Sequence, residues 1–207
     1  MRRIDICFIH SVNSGAIDAL GAQKVTKHLK FCDIFNLPIL QFVDVPGYAI
    51  GTAAEKSAVM RYGVQLGATY FATTTPLFSV IVRKVYGVAG ALMVDSRDPS
   101  LRVAWPAGEW GSVPLDGGIE VGHRQELDVI EKENGPEARV HRYRELEQDY
   151  RRLLNPVRTA GAFGISEIVD PALTRPLVCE WIKHVYESQL PKRIAERQAG
   201  RLTPTWI

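Results

Sequence analysis

The segment Phe42-Val43-Asp44-Val45-Pro46-Gly47-Tyr48-Ala49-Ile50-Gly51-Thr52-Ala53-Ala54-Glu55 carries the clearest chemical pattern in this chain. An apolar strand runs into a Pro-Gly turn, meets a second glycine and opens into a helix of small residues. The first amides of a helix have no carbonyl partner within it, so they are free to donate to a group in front of it. An anion, or an oxygen gaining negative charge during a reaction, is stabilised at such a place. Titratable side chains offer less. His10, His28, His123, His141 and His184 show no ligand spacing, and no Ser-His-Asp set or carboxylate pair follows a glycine turn. Cys7, Cys32 and Cys179 are odd in number and far apart, so neither a disulfide framework nor a metal site is indicated.

The elements that must position this turn follow from periodicity. Ile6 to Ile9 is a short strand, and Ser14-Gly15 breaks it. From Ala16 to Phe35, Ile17, Leu20, Val25, Leu29 and Phe31 recur roughly at helical spacing. Asn36-Leu37-Pro38 ends that helix, because the residue before proline is pushed out of helical backbone. Ile39 to Val45 is a buried strand, Ala53 to Ala72 a helix with Val59, Val64 and Leu66 inward, and Leu77 to Val82 a strand buried on both faces. Gly87 to Met93 is a turn opening a short helix, and a strand ends around Ala104-Trp105-Pro106. Gly108 to Gly122, with five glycines and one proline, is expected to be loop-rich and to change shape with a partner. Arg124 to Leu154 is a charged helical stretch broken at Asn134-Gly135-Pro136; its mixed signs describe a solvated face with a share of oligomer contact rather than a nucleic-acid patch. A small-residue helix from Asn155-Pro156 to near Gly164, a strand from Ser166 to Val169 and a helix from Arg175 to Leu190 close the chain. Alternating strands and helices give an α/β fold in one domain spanning residues 1–207.

The totals exclude several classes. A formal charge of +2 and a pI near 8.4 are too balanced for nucleic-acid or membrane-surface binding. No signal peptide fits the first residues, and no apolar run approaches the ~20 residues of a membrane span. The cysteines are expected to be reduced, buried thiols of a cytoplasmic protein.

The turn segment resembles the V-D-V-P-G-x-x-x-G-T-x-x-E stretch of the carboxyltransferase β-type subunits of biotin-dependent acyl-CoA carboxylases, of the propionyl-CoA and methylmalonyl-CoA type. Arg83-Lys84-Val85-Tyr86-Gly87-Val88-Ala89-Gly90-Ala91-Leu92-Met93 aligns without gaps to that family's R-K-x-Y-G-G-A-Y-D-V-M segment. Gly15-Ala16-Ile17-Asp18-Ala19, Phe31-Cys32-Asp33-Ile34-Phe35-Asn36-Leu37-Pro38, Ala104-Trp105-Pro106 and Asn155-Pro156 occur in the family's order, so the resemblance covers roughly residues 15–170.

The resemblance implies a crotonase-like spiral of ββα units and, of the family's two such halves, the C-terminal one, which holds carboxybiotin. The first strand begins next to Met1, where the family has preceding sheet, so the chain is either a separately encoded subunit or a fragment. The implied activity moves a carboxyl group between carboxybiotin, carried on another protein, and a short-chain acyl-CoA. The partners would be an acyl-CoA-binding N-terminal half and a biotin carrier or biotin carboxylase subunit in a homo- or hetero-oligomer, with the isolated chain inactive. Implied oxyanion donors are the amides of Val88 and Ala89. Gly47, Gly51, Thr52, Ala53, Tyr86 and Gly87 would wall the biotin site, and Gly90 and Ala91 the substrate pocket.

Val88 stands where the family has glycine; a positive φ there would strain a β-branched residue. Ala91 replaces an aspartate, which makes that wall less polar. The same carboxyltransferase in a decarboxylase running the transfer backwards, or a non-catalytic assembly subunit, also fits these residues. Gly47, Gly51 and Thr52 are otherwise a plain strand-to-helix turn. Arg83 and Lys84 are either a solvated strand end or orient a carboxylate or phosphate, and Arg61 is an ion partner at a surface or interface. Trp105, Trp181 and Trp206 are packing residues, whereas Trp110, inside the glycine-rich segment, is placed to cover a ligand.

Overall fold

Parallel strands need long crossovers, and the helical stretches between the strand segments supply them. In the computed structural model, which describes residues 5–8, 13–94, 102–112, 115–161 and 164–202, the strands β1 (Asp5–Phe8), β2 (Ile39–Val45), β3 (Leu77–Tyr86), β4 (Arg102–Ala104), β5 (Glu109–Gly111) and β6 (Glu167–Ile168) form a six-stranded parallel sheet. Its order is β1-β2-β3-β4-β6. β5 lies off this path: the ten-residue β3 pairs with β4 through Ser79–Ile81 and with β5 through Lys84–Tyr86.

Strand alternation divides the core into two layers. Ile39, Val43 and Val45 of β2 and Leu77, Ile81 and Val85 of β3 pack under α1 (Ala19–Phe35) and α3 (Val59–Ala72). Leu40 of β2 and Phe78 and Val80 of β3 face the opposite layer, where Trp181, Val185 and Leu190 of the closing helices cover them. A third cluster, Ile119, Leu127 and Leu146, joins α5 (Leu115–Gly122), α6 (Arg124–Asn134) and α7 (Pro136–Leu153).

Several expectations are corrected. Val64 of α3, expected inward, points outward at 68% exposure, as do Leu20 and Phe31 of α1 at 75% and 46%. The buried stripe of α1 runs through Ala22, Val25, Leu29 and Cys32 in steps of three and four, and Leu20 and Phe31 fall off it. The helix expected from Ala53 is two helices, α2 (Thr52–Lys56) and α3, separated at Ala58, whose φ of 60° is left-handed. There the Ser57 hydroxyl donates to the Ala54 carbonyl at 2.7 Å, which competes with continuing the helix. The glycine-rich segment is not all loop: it contains β5 and α5, with Ile119 anchoring α5 at 2% exposure.

α8 (Pro156–Gly161) precedes β6. The last helix runs beyond Leu190, as α9 (Thr174–His184), a π turn (Val185–Gln189) and α10 (Leu190–Gln198). Pro191 cannot donate to the helical ladder, and the wider turn just before it absorbs that gap. Cys32 is buried as expected but Cys179 is exposed, while His10, Trp206 and the Cys7 side chain lie outside the described residues. No helix of the described residues is long and apolar enough to cross a membrane.

Candidate functional site

Both glycine turns leave the same end of the sheet. Val45 pairs with Val85, so the segments beginning at Pro46 and Gly87 follow neighbouring parallel strands at their carboxyl ends, the side on which open α/β sheets bind ligands. The pairing of β2 with β3 shifts register between Val43 and Val45. Asp44, at 8% exposure, repairs the irregularity. Its carboxylate accepts the Lys84 amide at 3.0 Å and the Arg83 guanidinium Nη2 at 3.0 Å. Arg83 therefore orients a carboxylate of its own chain, and that hydrogen bond holds its pKa above the usual arginine value.

After Tyr86 the chain turns sharply into α4 (Gly87–Met93). Gly87 has φ +60°, a left-handed conformation glycine adopts without steric cost. Val88 is not among the positive-φ residues, so its β-branched side chain sits on ordinary backbone and its amide is kept. Tyr86 is the N-cap in extended conformation, and no side chain caps the helix. The amides of Val88 and Ala89, second and third residues of α4, therefore fall among the donors a helix leaves unpaired. Val88 is 66% exposed and Ala89 is buried.

A cavity of about 570 Å³ opens beside this helix, walled by Val85, Val88, Ala91, Trp110, Ile165 and Arg102. It is mostly apolar, with Arg102 and Ser112 as its polar side chains, and its volume lies in the range of small-molecule sites. Trp110 stands against it as expected. Arg102 and Ile165 were not anticipated, since Arg102 opens the short β4 and Ile165 lies just before the short β6, neither within any motif. Glu109, the neighbour of Trp110 on β5, lines instead a second cavity of about 530 Å³ with Arg151, Asn155 and Pro156.

Of the residues named from sequence, Gly87, Val88 and Ala91 meet at the first cavity. Gly90 does not line it. A Cβ there would lie 2.7 Å from the Val85 carbonyl carbon, so this glycine lets α4 lie directly on β3. Tyr86 is 2% exposed and packs beneath Gly111, giving support rather than a wall. Gly47, Gly51, Thr52 and Ala53 are not among that cavity's lining residues either. Gly47 and Gly51 have φ of 139° and 99° with open space around the missing side chain, and α2 starts without a side-chain cap. Their loop is pinned by paired bonds, Ile17 N–H to the Gly47 carbonyl at 3.0 Å and Ala49 N–H to the Ile17 carbonyl at 2.9 Å. Tyr48 packs on Gly63 of α3, and burial raises its phenol pKa.

Comparison with known proteins places the chain in a family. Residues 6–199 match the carboxyl transferase domain. The chain is 36% identical over 166 residues to the carboxyltransferase subunit of propionyl-CoA carboxylase from Haloferax mediterranei, covering 79% of this chain and 31% of that one. It is 30% identical over 193 residues to the methylmalonyl-CoA carboxyltransferase 12S subunit of Propionibacterium freudenreichii, covering 92% and 35%. The chain thus spans about a third of the length of these relatives. The transcarboxylase 12S structure with methylmalonyl-coenzyme A bound superposes with a TM-score of 0.75 at 28% identity, over 88% of this chain and 34% of that one. The geranyl-CoA carboxylase β subunit of P. aeruginosa, at 20% identity and a TM-score of 0.72, shares the fold, which is crotonase-like. By its matched residues and its fold, the chain belongs to the carboxyl transferase domain family.

Proposed function

We propose that this chain is the biotin-side half of an acyl-CoA carboxyltransferase. In this reading residues 1–207 act as one domain that transfers a carboxyl group between carboxybiotin on a carrier protein and a short-chain acyl-CoA. An acyl-CoA-binding half on another chain completes the site, and the isolated chain does not turn over. The observation that carries the reading is the mostly apolar cavity walled by Gly87, Val88, Ala91 and Trp110, at the mouth of an uncapped helix behind a strand end. Its size and walls suit the flat, largely uncharged biotin ring system, and the amides at its edge supply the one polar feature such a ring needs.

When bound, carboxybiotin supplies the carboxyl group, and negative charge gathers on its ureido oxygen as that group departs. The Val88 and Ala89 amides are the donors that hold this charge. Gly87 sets their direction by its left-handed turn, and the seat of Gly90 on Val85 keeps them from drifting. Donors fixed before the reaction need no reorganisation during it, and removing one from such a site commonly costs about 3–4 kcal/mol. Neither glycine turn brings a protein base, consistent with a mechanism in which backbone donors carry the catalysis.

Titration of the purified chain with biotin methyl ester and, separately, with coenzyme A, followed by backbone amide NMR, tests the proposal. Biotin is expected to shift Gly87–Ala91 and Trp110, with coenzyme A having no effect. Coenzyme A binding without biotin would overturn it, as would silence from both when a related acyl-CoA-side half is also present.

A further inference from the structure

β2 reads Ile-Leu-Gln-Phe-Val-Asp-Val, and its one uncharged polar residue, Gln41, faces the α1/α3 layer with Ile39, Val43 and Val45. It is 1% exposed. Burying an amide costs free energy unless its donors and acceptor are matched, and an aliphatic side chain would fill this position without that demand. Here the match is complete on the donor side. Gln41 Nε2 donates to Ser79 Oγ of β3 at 2.9 Å and to the Met93 carbonyl of α4. Tyr70 of α3 donates its hydroxyl to Gln41 Oε1 at 2.7 Å, and the Tyr70 hydroxyl also lies 3.3 Å from Met93 Sδ; the Met93 carbonyl, which can only accept, fixes the amide nitrogen toward α4.

Met93 is the last residue of α4, so its carbonyl is one of those a helix leaves without an internal partner. One side chain thus ties β2, β3 and α3 to the far end of the seven-residue helix whose first residues, Gly87 and Val88, line the cavity. A helix that short is not stable by itself, and its orientation comes from its attachments. We infer that Gln41, oriented by Tyr70, is a positioning residue for the Val88 and Ala89 donors, acting through the Met93 carbonyl. The inference rests on the function proposed above for those donors, and it extends that function to a buried network that touches no substrate.

The test compares the full chain with Tyr70→Phe and Gln41→Leu, and with Thr26→Val as a control. Thr26 is a buried α1 residue whose hydroxyl, among the described residues, bonds its own helix, to the Ala22 carbonyl at 2.8 Å. Amide hydrogen exchange is followed by NMR well below the melting temperature, together with biotin methyl ester affinity. Loss of one buried hydrogen bond should speed exchange of the α4 amides about tenfold in Tyr70→Phe and weaken biotin binding about tenfold, while α6 and α7 amides are unchanged. Thr26→Val should do neither. Gln41→Leu should do more; if it fails to fold, Tyr70→Phe still decides. Exchange that rises equally everywhere, or α4 exchange indistinguishable from the control, would overturn the inference. If the wild-type chain binds no biotin even with a related acyl-CoA-side half present, the proposed function fails, and the exchange pattern alone then judges the network.

Discussion

The α1 C-terminus and α10 are joined by a buried ion pair whose removal has a calculable effect. Asp33 is fully buried, and its Oδ1 accepts from the Thr74 amide at 2.9 Å, the Thr75 amide at 3.2 Å and Arg193 Nη2 at 2.6 Å. Arg193, 5% exposed, also donates to the Asp33 carbonyl, Asn36 Oδ1 and Thr74 Oγ1. Arg197 adds a bond to the Asp33 carbonyl at 2.6 Å. Breaking a buried pair from one side costs about 3–5 kcal/mol, because the remaining charge stays desolvated. Asp33→Ala would also strand two amides at about 1–3 kcal/mol each, a total near the whole stability of an ordinary domain, and should not yield folded protein. Asp33→Asn keeps an acceptor for both threonine amides, so its loss should be about 3 kcal/mol in urea melts. Arg193→Met leaves a carboxylate that still has the Thr74 and Thr75 donors and should lose a similar amount. In the double variant neither charge is stranded, so the combined loss should fall short of the sum by at least about 1.5 kcal/mol. A loss under about 1 kcal/mol for Asp33→Asn, or additivity within about 0.5 kcal/mol, would refute the account.

Two further outcomes follow from the geometry. Gly90→Ala places a Cβ 2.7 Å from backbone of Val85 and 2.9 Å from its Cγ1, so α4 must lift off β3; overpacking of this kind costs about 1–3 kcal/mol, and biotin affinity should fall more than thermal stability. Bonds first from His123 and then from Arg142 lower the pKa of Glu126 from its ordinary 4.5. A carboxylate with a depressed folded pKa stabilises above its unfolded value and loses that contribution as pH falls through the folded one. The α6–α7 pairing should therefore loosen below pH 4.5 by circular dichroism, and Glu126→Gln should remove that component of the pH dependence. An unchanged acid profile in Glu126→Gln would assign the transition elsewhere.

How much of this was legible in the sequence depends on how local the signal is. The span Ile39–Val45 and the break at Asn134-Gly135-Pro136 come directly from apolar runs and turn residues, and both stand in the structure as expected. Gly87 was legible because a left-handed turn asks for glycine. The break at Ala58 was not, since neither glycine nor proline marks it and a serine hydroxyl ends the helix instead. Nor were β5 and α5. Their glycines oppose regular structure, and the opposing terms are distant: the second half of β3 as a pairing edge, and Leu127 and Leu146 as cover for Ile119. Arg193 belongs to a site 160 residues away, which no periodicity can show. Gly90 read as a wall because it adjoins the turn, yet its missing side chain faces Val85.

These corrections bear on where the chemistry of such a site resides. A mechanism resting on amide donors has no side chain whose titration announces it, and almost any residue leaves the donor itself in place, as Val88 does where a glycine was expected. What substitution can change is direction. The direction of α4 is set by a left-handed glycine at its start, a close seat on β3 at Gly90 and a buried amide at its end. Only the first of these touches the cavity. On the proposed function the sequence requirements of the site extend to β2 and α3, and a substitution at Val88 should be tolerated where one at Gly90 or Gln41 should not. On this argument, sensitivity to substitution should follow the supports of the helix more closely than the lining of the pocket.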